Sequence, residues 1–114
     1  MLMIKKKDGK LHIEDLQIGE GQEVIGGDYI LIHYKGILED GTEFDSSYSR
    51  NEPFKTRIGV GEVIEGWDMG VLGMKVGGKR KLVIPPQLAY KDQEIGLIPP
   101  DSTLIFEVEL IAIQ

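Results

Sequence analysis

The strongest pattern along the chain is the alternation in TLIFEVELIAI, residues 103–113. Leu104, Phe106, Val108 and Leu110 fall on one side of an extended chain, with Glu107 and Glu109 on the other. That spacing predicts a strand with one buried and one wet face. DYILIHY (28–34) is dense in β-branched and aromatic residues and predicts a second strand. The Glu39-Asp40-Gly41 stretch after it predicts a turn, because Asp-Gly supplies the positive φ that a hairpin needs. Phe44 then opens a short return segment. FKTRI (54–58) alternates Phe54, Thr56 and Ile58 against lysine and arginine, and LHIEDLQI (11–18) has strand-like apolar positions broken by Gly19 and Gly21. KRKLVI (79–84) follows the Val76-Gly77-Gly78 turn and stops at Pro85-Pro86, since proline cannot continue a ladder. Residues 1–10 are expected to form a leader strand or a loose tail ending at Asp8-Gly9.

A helical period is carried by Ile64, Trp67, Val71 and Leu72, which fall at i, i+3, i+7 and i+8 and predict one apolar helix face. Gly66 and Gly70 each weaken such a helix by about 1 kcal/mol relative to alanine. Their presence implies that another element, or a ligand, approaches closely there. These elements together predict an α+β domain spanning residues 1–114, an antiparallel sheet folded over one short helix.

Composition narrows the possibilities. The chain is long enough for a single core. It has no cysteine, hence no disulfide framework and no cysteine metal site, which suits a reducing compartment. The formal net charge of −6 argues against a nucleic-acid partner. Lys5-Lys6-Lys7 and Lys79-Arg80-Lys81 are short enough to be solvated faces of a tail and a strand. No apolar run approaches the roughly 18 residues of a membrane span, and the N-terminal segment has neither the order nor the length of a signal peptide. A cytoplasmic protein is expected.

Familiar catalytic motifs are missing. The glycines at 59, 61 and 66 have neither dinucleotide-fold spacing nor the Lys-Ser/Thr pair of a P-loop. His12 and His33 have no ligand partner at i+4. There is no G-x-S-x-G elbow, and no carboxylates are paired as in glycosidases. What remains is a set of aromatic residues beside turns: Tyr34, Phe44, Phe54, Trp67, Tyr90 and Phe106. On the residues alone, Trp67 reads as a core residue or as the floor of an apolar site. Tyr34 and Tyr90 read as core or interface tyrosines, and Asp45 with Ser46-Ser47 reads as a carboxylate satisfying turn amides.

Five segments resolve these alternatives together. HYKGILEDGTEFDSS (33–47), RNEPF (50–54), GEVIEGWDMGV (61–71), Leu88-Ala89-Tyr90 and IPPDSTLIFEVEL (98–110) resemble the FKBP family of peptidyl-prolyl cis-trans isomerases, in the family's order and over roughly residues 11–114. The resemblance implies a twisted antiparallel sheet of about five or six strands wrapped around one short α-helix. It implies a catalytic set of Tyr34, Phe44, Asp45, Tyr90 and Phe106, and a substrate-binding set of Arg50, Phe54, Glu62, Val63, Ile64, Trp67 and Ile98. Trp67 would be the floor beneath a proline ring. The Ile64 N–H and the Tyr90 hydroxyl would donate to ligand carbonyls, and Arg50 would stand beside Asp45 at the rim. The implied activity is acceleration of Xaa-Pro rotation in protein substrates by a monomer assisting folding. It needs no cofactor and no metal, and rapamycin-type macrolides would occupy the same pocket. The alternative is a proline-segment or macrolide binding module, chaperone or scaffold, without turnover. The chain departs from the family in KDQEIGL (91–97), which is one residue shorter than the commonest form and lacks its histidine and adjacent glycine-rich turn. It also lacks a long insertion near 88–98, so the extra chaperone lobe of some bacterial relatives is not expected.

Overall fold

The computed structural model describes residues 9–114, so most of the expected leader or tail lies outside the described residues. The elements run β1 (His12–Gln17), β2 (Tyr29–Leu38), β3 (Glu43–Ser46), β4 (Phe54–Arg57), α1 (Glu65–Gly70), β5 (Lys79–Ile84) and β6 (Leu104–Ile113), with a single 3₁₀ turn at Pro86–Leu88. All strands pair antiparallel in one sheet of order β1-β5-β6-β2-β3, and β4 also pairs with β2. This is the predicted α+β architecture. Among the described residues no helix is long and apolar enough to cross a membrane.

The alternation in β6 sets the core. Leu104, Phe106, Val108 and Leu110 are buried and meet Ile30, Ile32, Leu82, Ile84 and Ile58. Glu107 stays exposed on the opposite face, in register with Lys81 of β5 and Lys35 of β2, while Glu109 sits between Lys79 and His33. Glu14 of β1 extends the first row as the partner of Lys81. Opposite charges thus alternate across strands, an arrangement worth roughly 0.2–1 kcal/mol per pair. Arg80 departs from the solvated face expected for Lys79-Arg80-Lys81. It points to the other side of β5, where its guanidinium donates to the carbonyls of Gly70 (2.8 Å) and Leu72 (2.9 Å) and to Asp15 (2.7 Å). Those two carbonyls belong to the end of α1 and the residues after it, where no helical partner remains for them.

α1 is shorter than the apolar period suggested. It ends at Gly70, so Val71 is fully buried as the C-cap whereas Leu72 lies beyond the helix and is 39% exposed, off the expected face. The helix glycines answer a packing demand from β5 and not from a ligand. A Cβ on Gly66 would drive into the Ile84 side chain, and one on Gly70 would come within 2.8 Å of Leu82 Cδ2. The helix therefore lies directly on the sheet, and Trp67, between those glycines, is held at a fixed depth.

One edge of β2 is shared by two short strands. Its first half pairs with β4, from Tyr29↔Arg57 to Ile32↔Phe54, and its second half with β3, from Lys35↔Ser46 to Ile37↔Glu43. Ser47, fully buried, bridges the gap: its hydroxyl accepts from the Tyr34 N–H (2.7 Å) and its own N–H donates to the Tyr34 carbonyl (2.9 Å). The 48–53 segment is thereby forced out of the sheet, and it carries Arg50 back toward Tyr34.

Candidate functional site

The inner side of the sheet, where the two short strands part and α1 comes close, opens into a cavity of about 550 Å³. Its volume falls within the range of small-molecule sites. Each wall comes from a different element. β2 supplies Tyr34, β3 supplies Phe44 and Asp45, and Phe54 opens β4. The segment entering α1 supplies Gly61, Glu62, Val63 and Ile64. Trp67 comes from the helix itself, Tyr90 follows the 3₁₀ turn, and Phe106 comes from β6.

Trp67, only 4% exposed, is the hub of the aromatic lining. Its ring meets Tyr34 edge-on at 5.2 Å and 81°, Phe106 at 5.4 Å and 86°, and Phe54 at 6.1 Å and 74°. Phe106 in turn meets Phe44 at 5.5 Å and 89°. Edge-to-face pairs are each worth about 0.5–1.5 kcal/mol beyond their buried area, so the rings brace one another and keep the cavity open. The indole N–H of Trp67 is buried with no oxygen or nitrogen acceptor.

The rim is polar and closed on itself. The Tyr34 hydroxyl donates to Asp45 Oδ2 at 2.6 Å and accepts from Arg50 Nη2 at 2.8 Å. Arg50 Nη1 donates to Asp45 Oδ1 at 2.6 Å, and the Ser46 N–H donates to the same oxygen at 2.8 Å. Asp45 therefore does satisfy a turn amide, but that is one of three bonds it accepts. Burial opposes ionisation of Asp45, yet the bonds from Tyr34, Arg50 and Ser46 outweigh it and hold the carboxyl below its usual range. Burial, reinforced by the bond to Asp45, pushes the Tyr34 hydroxyl up. The bond to Asp45, then that to Tyr34, raises the already high pKa of Arg50. Tyr90 is also raised, by burial first and by the Asp45 charge second.

On two of the lining residues, the Tyr90 hydroxyl and the N–H of Ile64 donate to no partner among the described residues. Ile64 is the N-cap of α1, with φ −59° and ψ 151°. Its carbonyl is already engaged by the N–H groups of Trp67 (2.9 Å) and Asp68 (3.2 Å). The Glu62 carboxylate is engaged, accepting from the Arg57 N–H at 3.1 Å and the Thr56 hydroxyl at 3.3 Å.

Of the residues singled out in the sequence, Tyr34, Phe44, Asp45, Phe54, Glu62, Val63, Ile64, Trp67, Tyr90 and Phe106 are brought together around this cavity. Arg50 stands behind the rim, reaching the site through Asp45 and Tyr34. Ile98 is not on the wall. It is 5% exposed and packs in the core cluster. Gly61, outside the predicted site set, also lines the cavity as backbone. The glycine pair at 59 and 61 just before VIEGW was its signal.

A family model of FKBP-type peptidyl-prolyl cis-trans isomerases matches residues 20–111. An FK506-binding protein of Neisseria meningitidis serogroup A is 55% identical over 106 residues, covering 92% of this chain and 97% of that protein. The chloroplastic peptidyl-prolyl cis-trans isomerase FKBP13 of Arabidopsis thaliana is 51% identical over 109 residues, covering 85% of this chain and 52% of that protein. The crystal structure of AtFKBP13 superposes with a TM-score of 0.86 at 47% identity, over 91% of this chain and 93% of that one. Sequence, fold and cavity converge, and the chain belongs to the FKBP-type peptidyl-prolyl cis-trans isomerase family.

Proposed function

We propose that the cavity floored by Trp67 is where this isomerase rotates Xaa-Pro bonds, and that it does so by differential solvation and positioning rather than by acid–base chemistry. The observation that carries this reading is the pairing of an aromatic-walled cavity with donors on its lining residues, the Ile64 N–H and the Tyr90 hydroxyl, that no described residue engages. Rotation passes through a twisted amide that has lost resonance, with a barrier of about 18–20 kcal/mol, and unaided it takes tens to hundreds of seconds. The twisted amide carries less charge separation than the planar one and depends less on water. An apolar site therefore favours the transition state over the ground state. Each 1.4 kcal/mol of that preference, roughly, is a factor of ten in rate.

In this reading the prolyl ring rests on Trp67 between Tyr34, Phe54 and Phe106. The Ile64 N–H and the Tyr90 hydroxyl hold flanking carbonyls while the remaining one turns. Asp45, Tyr34 and Arg50 form a rigid frame at the rim. An ionised carboxylate with a lowered pKa and both oxygens engaged is a poor proton acceptor near neutral pH, so Asp45 acts through its fixed charge and through the Tyr34 ring that it orients.

The reading extends to a monomeric cytoplasmic enzyme that assists the folding of proline-containing clients and accepts rapamycin-type macrolides in the same cavity. Relatives named as FK506-binding proteins support the macrolide, and a cysteine-free chain suits a reducing compartment. The single tryptophan makes the test direct. Titration with an Xaa-Pro peptide should change the Trp67 fluorescence saturably, and a macrolide should suppress that change and peptide isomerisation together. Full isomerase activity with an unresponsive Trp67 would place the reaction elsewhere.

A further inference from the structure

The cavity wall formed by Gly61, Glu62, Val63 and Ile64 is irregular chain between β4 and α1. Ladder hydrogen bonds cannot hold it in place. On its outer side the turn leans on the 26–28 loop, with the Gly27 N–H donating to the Ile58 carbonyl (2.8 Å) and the Ile58 N–H to the Asp28 carbonyl (2.9 Å). On the helix side one side chain holds it. Asp68 Oδ1 accepts from the Gly59 N–H at 2.7 Å, and Asp68 Oδ2 accepts from the Gly61 N–H at 2.9 Å. Gly59 and Gly61 both have positive φ, 87° and 82°. This conformation aims their two N–H groups at a single carboxylate, and side chains other than glycine rarely adopt it.

Asp68 follows Trp67 directly in α1, so the same helix that presents the floor also anchors the wall. Resting on the proposed role of the cavity, we infer that Asp68 is a positioning residue for isomerisation. It ties the Gly61–Ile64 wall to the Trp67 floor and thereby fixes the distance at which the Ile64 N–H meets a substrate carbonyl. It does not itself line the cavity. Misplacing a binding donor by a fraction of an ångström weakens the hold on substrate more than it alters the twisted amide once bound. The effect should therefore appear in KM.

Asp68→Ala removes both acceptors. Asp68→Asn keeps one and turns an NH₂ donor toward the other glycine N–H, so its effect should be intermediate. Amide hydrogen exchange at Gly59 and Gly61 should accelerate in both variants. KM for an Xaa-Pro peptide should rise about tenfold in Asp68→Ala, with kcat within about twofold of the parent. If Asp68→Ala does not fold, the Asn variant carries the test alone. Faster exchange with unmoved KM would overturn the inference, as would a loss of activity that only tracks the unfolded fraction. A parent protein that isomerises no Xaa-Pro peptide would overturn the role of the cavity and this inference with it. An active parent with unmoved variants overturns this inference alone.

Discussion

His33 and Tyr34 are neighbours on β2, and their side chains enter opposite kinds of surface. His33 faces outward. It stacks on Tyr48 with ring centroids 4.5 Å apart, and its Nδ1 lies 2.7 Å from the Ser47 hydroxyl. Tyr48 donates to Glu109 at 2.9 Å and its hydroxyl is pushed up to about 12, by burial first and then by that carboxylate. Beyond them run the alternating charges of Lys35, Glu107, Lys81 and Glu14. On this face polar groups answer one another across strands. Tyr34 faces inward, into an aromatic cavity where the Ile64 N–H and the Tyr90 hydroxyl have no partner among the described residues. The contrast is between a face whose polar groups are spent on the sheet and one that leaves binding capacity over, and the proposed function rests on the second.

The comparison can be broken first at its centre. Trp67→Ala removes the ring that braces three others. Replacing a buried aromatic by alanine costs about 3–5 kcal/mol, so urea denaturation should show that loss and isomerase activity should be nearly abolished.

Gly36→Ala tests the cavity from behind. Gly36 is not on the wall, but a Cβ there would come within 2.5 Å of Phe44 Cζ and 2.8 Å of Phe106 Cε1. Overpacking of this kind costs about 1–3 kcal/mol. Phe44, half-buried, is the ring with room to yield. The expected outcome is a narrowed cavity, with kcat/KM lower by about tenfold or more in a protein that still folds. Retained kcat/KM would show that the Phe44–Phe106 wall does not set the reaction.

Asp45→Ala separates the rim from the floor. The Asp45–Arg50 pair is substantially exposed, and such pairs contribute at most about 1 kcal/mol, so Tm should move by only a few degrees. Loss of the frame around Tyr34 should still lower kcat/KM several-fold. The pH profile sharpens the same point. The Asp45 carboxyl is lowered and the Tyr34 and Tyr90 hydroxyls are raised, so these three keep one protonation state from pH 6 to pH 9. A nearly flat kcat/KM across that range is expected, and a bell-shaped profile would bring acid–base chemistry back. For stability the sign follows from the lowered carboxyl. The Asp45 contribution is fully present above its unfolded pKa, near 3.9, and is lost as pH falls through the folded value.

The outer face should give the smallest effects. His33→Gln should leave isomerase activity intact with no new pH limb. Lys81→Ala should shift stability by about 0.2–1 kcal/mol without moving KM.

Much of this was legible in the chain. The alternation in 103–113 placed β6 and its core face correctly, because side chains two apart share one face of a strand, although Ile105 on the other face is buried as well. The glycines flanking Trp67 announced a close approach, and the motifs around Phe44, Asp45, Val63-Ile64 and Tyr90 identified the family. Several features depended on tertiary contact. Leu72 fits the apolar period yet is exposed, because α1 ends where its carbonyls find Arg80 instead of a further turn. Arg80 sits in a basic run that reads as solvated, but the strand's own alternation turns it toward the helix. Ile98 matches the family motif at the site, but here it packs in the core cluster and is not among the residues lining the cavity. Asp68 and Gly36 carry no signal in the local pattern. One acts on glycines nine and seven residues away and the other on rings from two strands. Hydrophobic period, turn chemistry and motif are properties of neighbours in sequence, so the chain alone determined its strands, its helix and its family. Which side chain braces, clamps or leaves a donor unengaged depends on the distances at which remote segments meet, and only the packed sheet and helix decided those.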